Sequence, residues 1–253
     1  MGVFVLGASV GSFVNVLIDR SIERRDWVWG RSKCDHCGSN LEWYDLIPLL
    51  SYFLYLGKSR CCQKKLSWKY PVVEALLGAL FVWWLLVGFL FFRLAIAPLT
   101  FVQPIFWLVT GILLLIIAIA DSYYGVILMN VLYLGYIWVY GYRLILYGMG
   151  IYRGQDLVLM LVMGLLSGGF LWGLRVITKG RGMGEGDPYL AFWTGSILGY
   201  PRGIYGMLAA FIVGAIWGTI LLLNKKKSWG ATIPFGPFLV LGVAIALLVS
   251  RYG

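Results

Sequence analysis

Two carboxylates and four thiols stand out in a chain where ionisable groups are scarce. Asp121 ends the apolar run Leu115-Ile116-Ile117-Ala118-Ile119-Ala120 with no basic residue beside it, and Asp187 closes Gly182-Met183-Gly184-Glu185-Gly186-Asp187. A carboxyl group in or at the lip of an apolar bundle is expensive unless it is paired or does chemistry. Two such acids that face one another share a proton. One can then draw a proton from water while the other protonates a leaving amine, which is the chemistry of amide hydrolysis. The pair titrates as a unit, so spacing does not assign base and acid separately. Gly184 and Gly186, flanking Glu185, let the backbone take unusual angles and approach a substrate. A helix N-terminus capped by Asp187 is the structural alternative.

The four thiols are Cys34 and Cys37 in Cys-Asp-His-Cys, and Cys61 and Cys62 in Ser-Arg-Cys-Cys. CxxC spacing lets both sulfurs reach one ion, and two such knuckles suit tetrahedral zinc in a structural role. Adjacent Cys61 and Cys62 ordinarily point apart. Either Cys61 is a strained fourth ligand, or a water or another side chain completes the shell. His36 lies between the first two cysteines and has little freedom to ligate. Free thiols or a redox pair are the alternatives. Because His36 is the only histidine, hydrolysis by a Ser-His or Cys-His pair is disfavoured.

The elements that must position these groups follow from composition. Of 253 residues, 60% are hydrophobic and 13% charged, with a mean hydropathy of +0.83, whereas a soluble domain is about a quarter charged. A membrane span needs roughly 20 apolar residues. Runs at 2–19, 71–93, 100–120, 126–148, 156–175, 188–201, 203–223 and 232–250 predict an all-α polytopic membrane protein with about eight helices. The run at 188–201 is short enough to be a partial span. Continuous rather than alternating apolar runs exclude a β-barrel. The first run lacks a basic n-region and a small-residue cleavage site, so it reads as a retained helix.

Alternating spans put sixteen of the 21 Lys and Arg on one side. That bias makes the cysteine loop and both acids cytoplasmic and puts both termini outside. It also accounts for the +10 net charge through topology and attraction to anionic headgroups, so nucleic acid is not an expected partner. The expected division is a first helix at 1–19, a cytoplasmic zinc-binding segment at 20–70 and a transmembrane core at 71–253. Asp156 reads as a helix cap, and Asp19 and Glu74 as partners for Arg20 or Lys69.

Four motifs occur in order: Gly11-Ser12-Phe13-Val14-Asn15-Val16; Cys34-x-x-Cys37 with Trp43-Tyr44-Asp45-x-Ile47-Pro48-Leu49-Leu50-Ser51 and Tyr70-Pro71-x-Val73-Glu74; the 182–187 segment; and Ile233-Pro234-Phe235-Gly236-Pro237-Phe238-Leu239. Together they resemble the bifunctional type IV prepilin peptidases across nearly the whole chain. The resemblance implies that Asp121 and Asp187 are the catalytic pair of a GxGD intramembrane aspartic peptidase in the bacterial inner membrane. Its substrates would be prepilins or pseudopilins of type IV pili and protein secretion, cut on the cytoplasmic side after the Gly that ends a short basic leader. It further implies methylation of the new N-terminus from S-adenosylmethionine. The sequence does not locate that donor; the cytoplasmic loop and the ends of the first two spans are the expected place, with Asn15, Glu74 and Gly78 as candidates, although Asn15 and Glu74 serve equally well as helix-packing polar groups.

The chain departs from the family pattern at three places. Leu128-Met129-Asn130 replaces a Pro followed by an acid or Asn, Ser59 stands where a cysteine is expected, and Tyr189 stands where Lys is common. A peptidase without methyl transfer is the competing enzyme. A transporter gated by the acids, or an assembly scaffold, is the competing non-enzyme. Neither substrate identity nor oligomeric state is legible.

Overall fold

Across a bilayer a lone apolar segment can satisfy all its backbone groups only as a helix. The computed structural model follows that rule. It describes residues 1–25, 30–34, 36–88, 99–180, 183–224 and 233–249. Arg93, Arg181, Gly182, Lys225, Lys226, Lys227 and Arg251 lie outside the described residues. The described residues contain helices and no strand, apart from the isolated bridges Lys33–Asn40 and Lys58–Lys65. They form two compact units, Met1–Ile112 and Leu113–Gly253.

The first unit holds α1 (Gly2–Ile22), a 3-10 turn at Trp43–Leu46, the short α2 (Leu50–Leu54) and α3 (Lys69–Trp83), which continues as a π-type turn over Trp84–Gly88. Small residues let α1 lie close against α3, the usual device where lipid offers no hydrophobic drive for helix association. A Cβ on Gly7 would sit 2.6 Å from the Leu77 carbonyl oxygen, and one on Gly11 would sit 2.7 Å from the Glu74 Cα. Where the two helices meet the loop, Lys69 pairs with Asp19, the partner expected from the sequence, and the Tyr70 hydroxyl donates to the same carboxylate at 3.3 Å. In the loop, Arg60 grips Asp45 through two bonds of 2.9 and 3.1 Å. That guanidinium holds the Asp45 carboxyl below its ordinary range.

The helix α4 (Leu99–Tyr124) contains the division between the units. The second unit continues with α5 (Met129–Gly148), α6 (Gly154–Ile177), α7 (Asp187–Leu198), α8 (Arg202–Leu223) and α9 (Gly236–Val249). Each apolar run of the sequence thus has its helix. Five are long and apolar enough to cross a membrane, beginning at Gly2, Lys69, Phe101, Gly154 and Arg202. Of the other three, α5 has 20 residues but carries five tyrosines and Arg143, and α7 has 12 residues and α9 has 14.

At about 1.5 Å per residue, α7 extends about 18 Å, short of the roughly 30 Å hydrocarbon core. The expectation of a partial span at 188–201 agrees with this length. Nine of its 12 residues are buried, which makes it the centre of its unit. Gly168 of α6 approaches Phe192 and Pro188, and a Cβ on Gly195 of α7 would meet Ser167 at 2.5 Å. Gly135 of α5 makes room for the fully buried Trp193 ring. Asp156, the third residue of α6, accepts the Arg153 N–H at 2.9 Å, the capping role read from its position.

Candidate active site

The acids that the sequence singles out stand at opposite ends of their helices. Asp121 lies in the last turn of α4, and Asp187 is the first residue of α7. Both are buried, at 5% and 3% exposure, so each must be satisfied from within the protein. Gly236, at the first residue of α9, donates its N–H to Asp121 Oδ2 at 2.8 Å. The Gly184 N–H donates to Asp187 Oδ2, also at 2.8 Å. Neither Oδ1 takes a hydrogen bond among the described residues. Both acids lie in the second compact unit.

The loop before α7 is built around these contacts. Gly186 has no room for a side chain, since its Cβ would fall 2.7 Å from that of Ile127. Glu185 turns away from the pair and binds Arg175, at the end of α6, at 2.6 Å. Its side chain is 90% exposed, which makes it a loop fastener rather than a third acid. Beyond the loop, the Tyr136 hydroxyl donates to the Tyr189 carbonyl at 2.7 Å.

Sequence reasoning missed the Gly236 contact. The 233–239 segment was visible as a motif, but nothing in its residue types says that its glycine N–H meets a carboxylate 115 positions away. The only signal was the glycine itself, placed at a helix start where N–H groups are free to bind an anion.

In the first unit all four cysteines converge, with their sulfurs within 4.8 Å of one another. Cys34 and Cys62 sulfurs are 3.8 Å apart, and those of Cys37 and Cys61 are 3.1 Å apart. Tetrahedral zinc with bonds of about 2.3 Å would set sulfurs about 3.8 Å apart. Cys61 is therefore near enough to complete a set of four thiolates. Hydrogen bonds from Ser39, Ser59 and Cys37 push its thiol down to about 6. His36 takes no place in the cluster and instead meets the Lys65 carbonyl at 3.2 Å.

Asn15, Glu74 and Gly78 all lie where α1 meets α3. Asn15 donates to the Tyr70 carbonyl at 3.2 Å, and its buried Oδ1 has no partner among the described residues. Glu74 accepts the Leu49 N–H at 2.7 Å. Gly78 admits the Phe4 ring, which would lie 2.6 Å from an added Cβ. On the loop side of α1 is a cavity of about 340 Å³ bordered by Ser9, Ser12, Phe13, Arg20, Ser32 and Pro48.

Comparison with known proteins agrees with this arrangement. Residues 5–88 match the Bacterial Peptidase A24 N-terminal domain. The prepilin leader peptidase/N-methyltransferase of Pseudomonas aeruginosa is 31% identical, over 96% of this chain and 88% of the relative. The chain belongs to the prepilin leader peptidase/N-methyltransferase family. A further member with that name, from Stutzerimonas stutzeri, is 30% identical over the same shares of both chains. Another, from Myxococcus xanthus, is 32% identical over 89% of this chain and 64% of its own length. No solved structure matches. Membership covers both units, so the paired acids and the cysteine cluster sit inside one family-wide match rather than in separate modules.

Proposed function

We propose that this prepilin peptidase family member cuts the short basic leader from type IV prepilins or pseudopilins at the cytoplasmic face of the bacterial inner membrane, then N-methylates the residue exposed. The observation that carries the peptidase reading is the pair of buried carboxylates in one compact unit, each tethered through Oδ2 to a main-chain N–H. Helix alternation assigns the end of α4 and the starts of α7 and α9 to one side, and the Gly236–Asp121 bond joins two of those ends. Functionally the chain divides into a first helix at 1–19, a metal-binding segment at 20–70 and a peptidase core at 71–253.

In the proposed reaction a water is held between Asp121 and Asp187. One carboxylate takes its proton as the oxygen attacks the scissile carbonyl carbon. The other, protonated, gives its proton to the amide nitrogen as the C–N bond breaks, releasing a leader carboxylate and a mature amine. An amide inside a helix is shielded by its own hydrogen bonds, so the cleaved bond must be extended, which a substrate Gly allows. Anionic headgroups attract both the basic loops and the basic leader, which keeps the two at the same surface.

For methyl transfer the new amine must be uncharged, which at a reference pKa near 8 asks little of the site. S-adenosylmethionine, when bound, supplies an electrophilic methyl group. The cavity beside α1 has hydroxyls from Ser9, Ser12 and Ser32. Pro48, on its border, precedes Leu49, whose N–H is held by Glu74, and a carboxylate there complements a cationic donor. The Asn15 Oδ1 on α1, with no partner among the described residues, is a further acceptor. Gly78 acts by admitting α1 closely to α3.

The deciding experiment incubates the detergent-solubilised protein with a prepilin from the same genome, with and without S-adenosylmethionine, and weighs the product. Loss of the leader and gain of one methyl mass are expected. Cleavage without methylation would remove the transferase half, and no cleavage of a matched substrate by folded protein would remove the peptidase reading.

The cysteine cluster is proposed to hold one structural zinc through Cys34, Cys37, Cys61 and Cys62. The ion would cross-link two loop segments too small to build an apolar core. Purified protein is expected to carry one zinc per chain by elemental analysis. Cys37→Ser combined with Cys62→Ser should bring that close to zero while helix content by circular dichroism stays unchanged. Zinc retained in the double variant would refute the assignment.

A further inference from the structure

The two cysteine segments share a pattern of backbone hydrogen bonds. In the first, the Cys34 N–H donates to the Ser39 carbonyl, the Gly38 N–H to the Cys34 carbonyl and the Leu41 N–H to the Ser32 carbonyl, at 2.9, 2.9 and 2.8 Å. In the second, Ser59 N–H donates to Lys64, Gln63 N–H to Ser59 and Leu66 N–H to Gly57, at 2.9, 2.8 and 2.8 Å. Each bond recurs 25 positions on, the separation of Cys34 from Ser59. The closing bridges, Lys33–Asn40 and Lys58–Lys65, repeat at the same interval. So do the turn residues of positive φ, Gly38 at 71° and Gln63 at 58°.

In this register Cys62 corresponds to Cys37, and Ser59 corresponds to Cys34. Cys61 corresponds to His36, which stays outside the cluster in the first knuckle. The second knuckle therefore presents a hydroxyl at a position where the first presents a thiol, and it draws its second sulfur from the tip of the turn. Ser59 has not left the site. It is 4% exposed, and its Oγ lies 3.2 Å from the Cys34 sulfur and 3.0 Å from the Cys61 sulfur.

We infer that Ser59 is a positioning residue of the metal centre, its hydroxyl bridging the Cys34 and Cys61 sulfurs so that Cys61 serves as fourth ligand from an irregular place. The inference rests on the metal-binding reading above and goes beyond it. A hydroxyl carries one hydrogen, which it can give to either thiolate. Such outer contacts orient ligands and typically change metal affinity by about 10–100-fold when removed. The shared register also makes the fourth sulfur movable. A thiol at 59 stands where Cys34 stands in its own knuckle, so it can take over from one at 61.

The test uses the full chain in detergent, stripped of metal and titrated with Co²⁺, whose visible spectrum reports the number of thiolates. Wild-type protein is expected to give a four-thiolate spectrum. Cys61→Ser should lose it, and Ser59→Cys in the Cys61→Ser background should restore it. Ser59→Ala alone should keep four thiolates and weaken Co²⁺ binding by about 10–100-fold. A four-thiolate spectrum in Cys61→Ser, or no restoration in a double variant of unchanged helix content, would overturn the register exchange. Unchanged affinity in Ser59→Ala would overturn the positioning role. If wild-type protein binds no Co²⁺ or zinc, the metal reading itself fails and takes this inference with it.

Discussion

Asn in place of either Asp121 or Asp187 is expected to slow leader release by about 10²–10⁴-fold, the usual contribution of a positioned acid or base. The substitution keeps the shape and one carbonyl oxygen, so the N–H of Gly236 or of Gly184 still has an acceptor at 2.8 Å. It removes only the ability to give or take a proton. Because the two acids act as a unit, the double variant should be about as slow as either single one, as is found for other catalytic groups that function together. Methylation of a peptide that already has the mature N-terminus should survive both changes, since the α1–α3 region is untouched. The measurement is leader release by mass, with helix content as the folding control. Cleavage at an undiminished rate in a well-folded Asp187→Asn protein would rule out the paired-acid mechanism.

Gly236→Ala is expected to come close to that loss without altering any ionisable group. A Cβ at 236 would lie 2.7 Å from Asp121 Oδ2 and 3.2 Å from its carboxyl carbon. The carboxyl must move or the start of α9 must shift, and either change breaks the N–H bond. Displacing a reacting group by about 1 Å costs on the order of 10²-fold. Gly169→Ala on α6 is the matched control, because a Cβ there meets nothing within 4 Å. Its cleavage rate should equal that of the wild type. If Gly236→Ala cleaves as fast as Gly169→Ala, Asp121 does not depend on the α9 N-terminus for its position.

Both predictions join a feature the sequence displayed to one it concealed. Asp121 was conspicuous because it ends a run of six apolar residues, and Asp187 because it closes a glycine-rich segment. Glu185 was equally conspicuous, yet it faces outward onto Arg175. Alternate residues of one short loop point in different directions, and residue type alone does not say which direction is inward. Gly78, a candidate for the cofactor site from its place near the end of the second span, has a packing role against Phe4 that only the tertiary structure reveals. The adjacent cysteines pose the same difficulty. Their side chains were expected to diverge, but the turn through Gln63 brings both to the cluster.

What the sequence by itself determined is the helical membrane architecture, the order of its apolar runs, and the residue types available for acid–base and thiolate chemistry. Those follow from composition and local pattern, because a lone segment in lipid must satisfy its own backbone and a charge there needs a reason. Only the tertiary structure decided which main-chain N–H holds each carboxylate, that Glu185 lies outside the pair, and that Cys61 joins Cys34, Cys37 and Cys62 around one point. These are contacts between positions distant along the chain. They are set by how closely glycine-seamed helices pack and by how two matching knuckles fold over each other, and neither is encoded in the spacing of residues within any one segment.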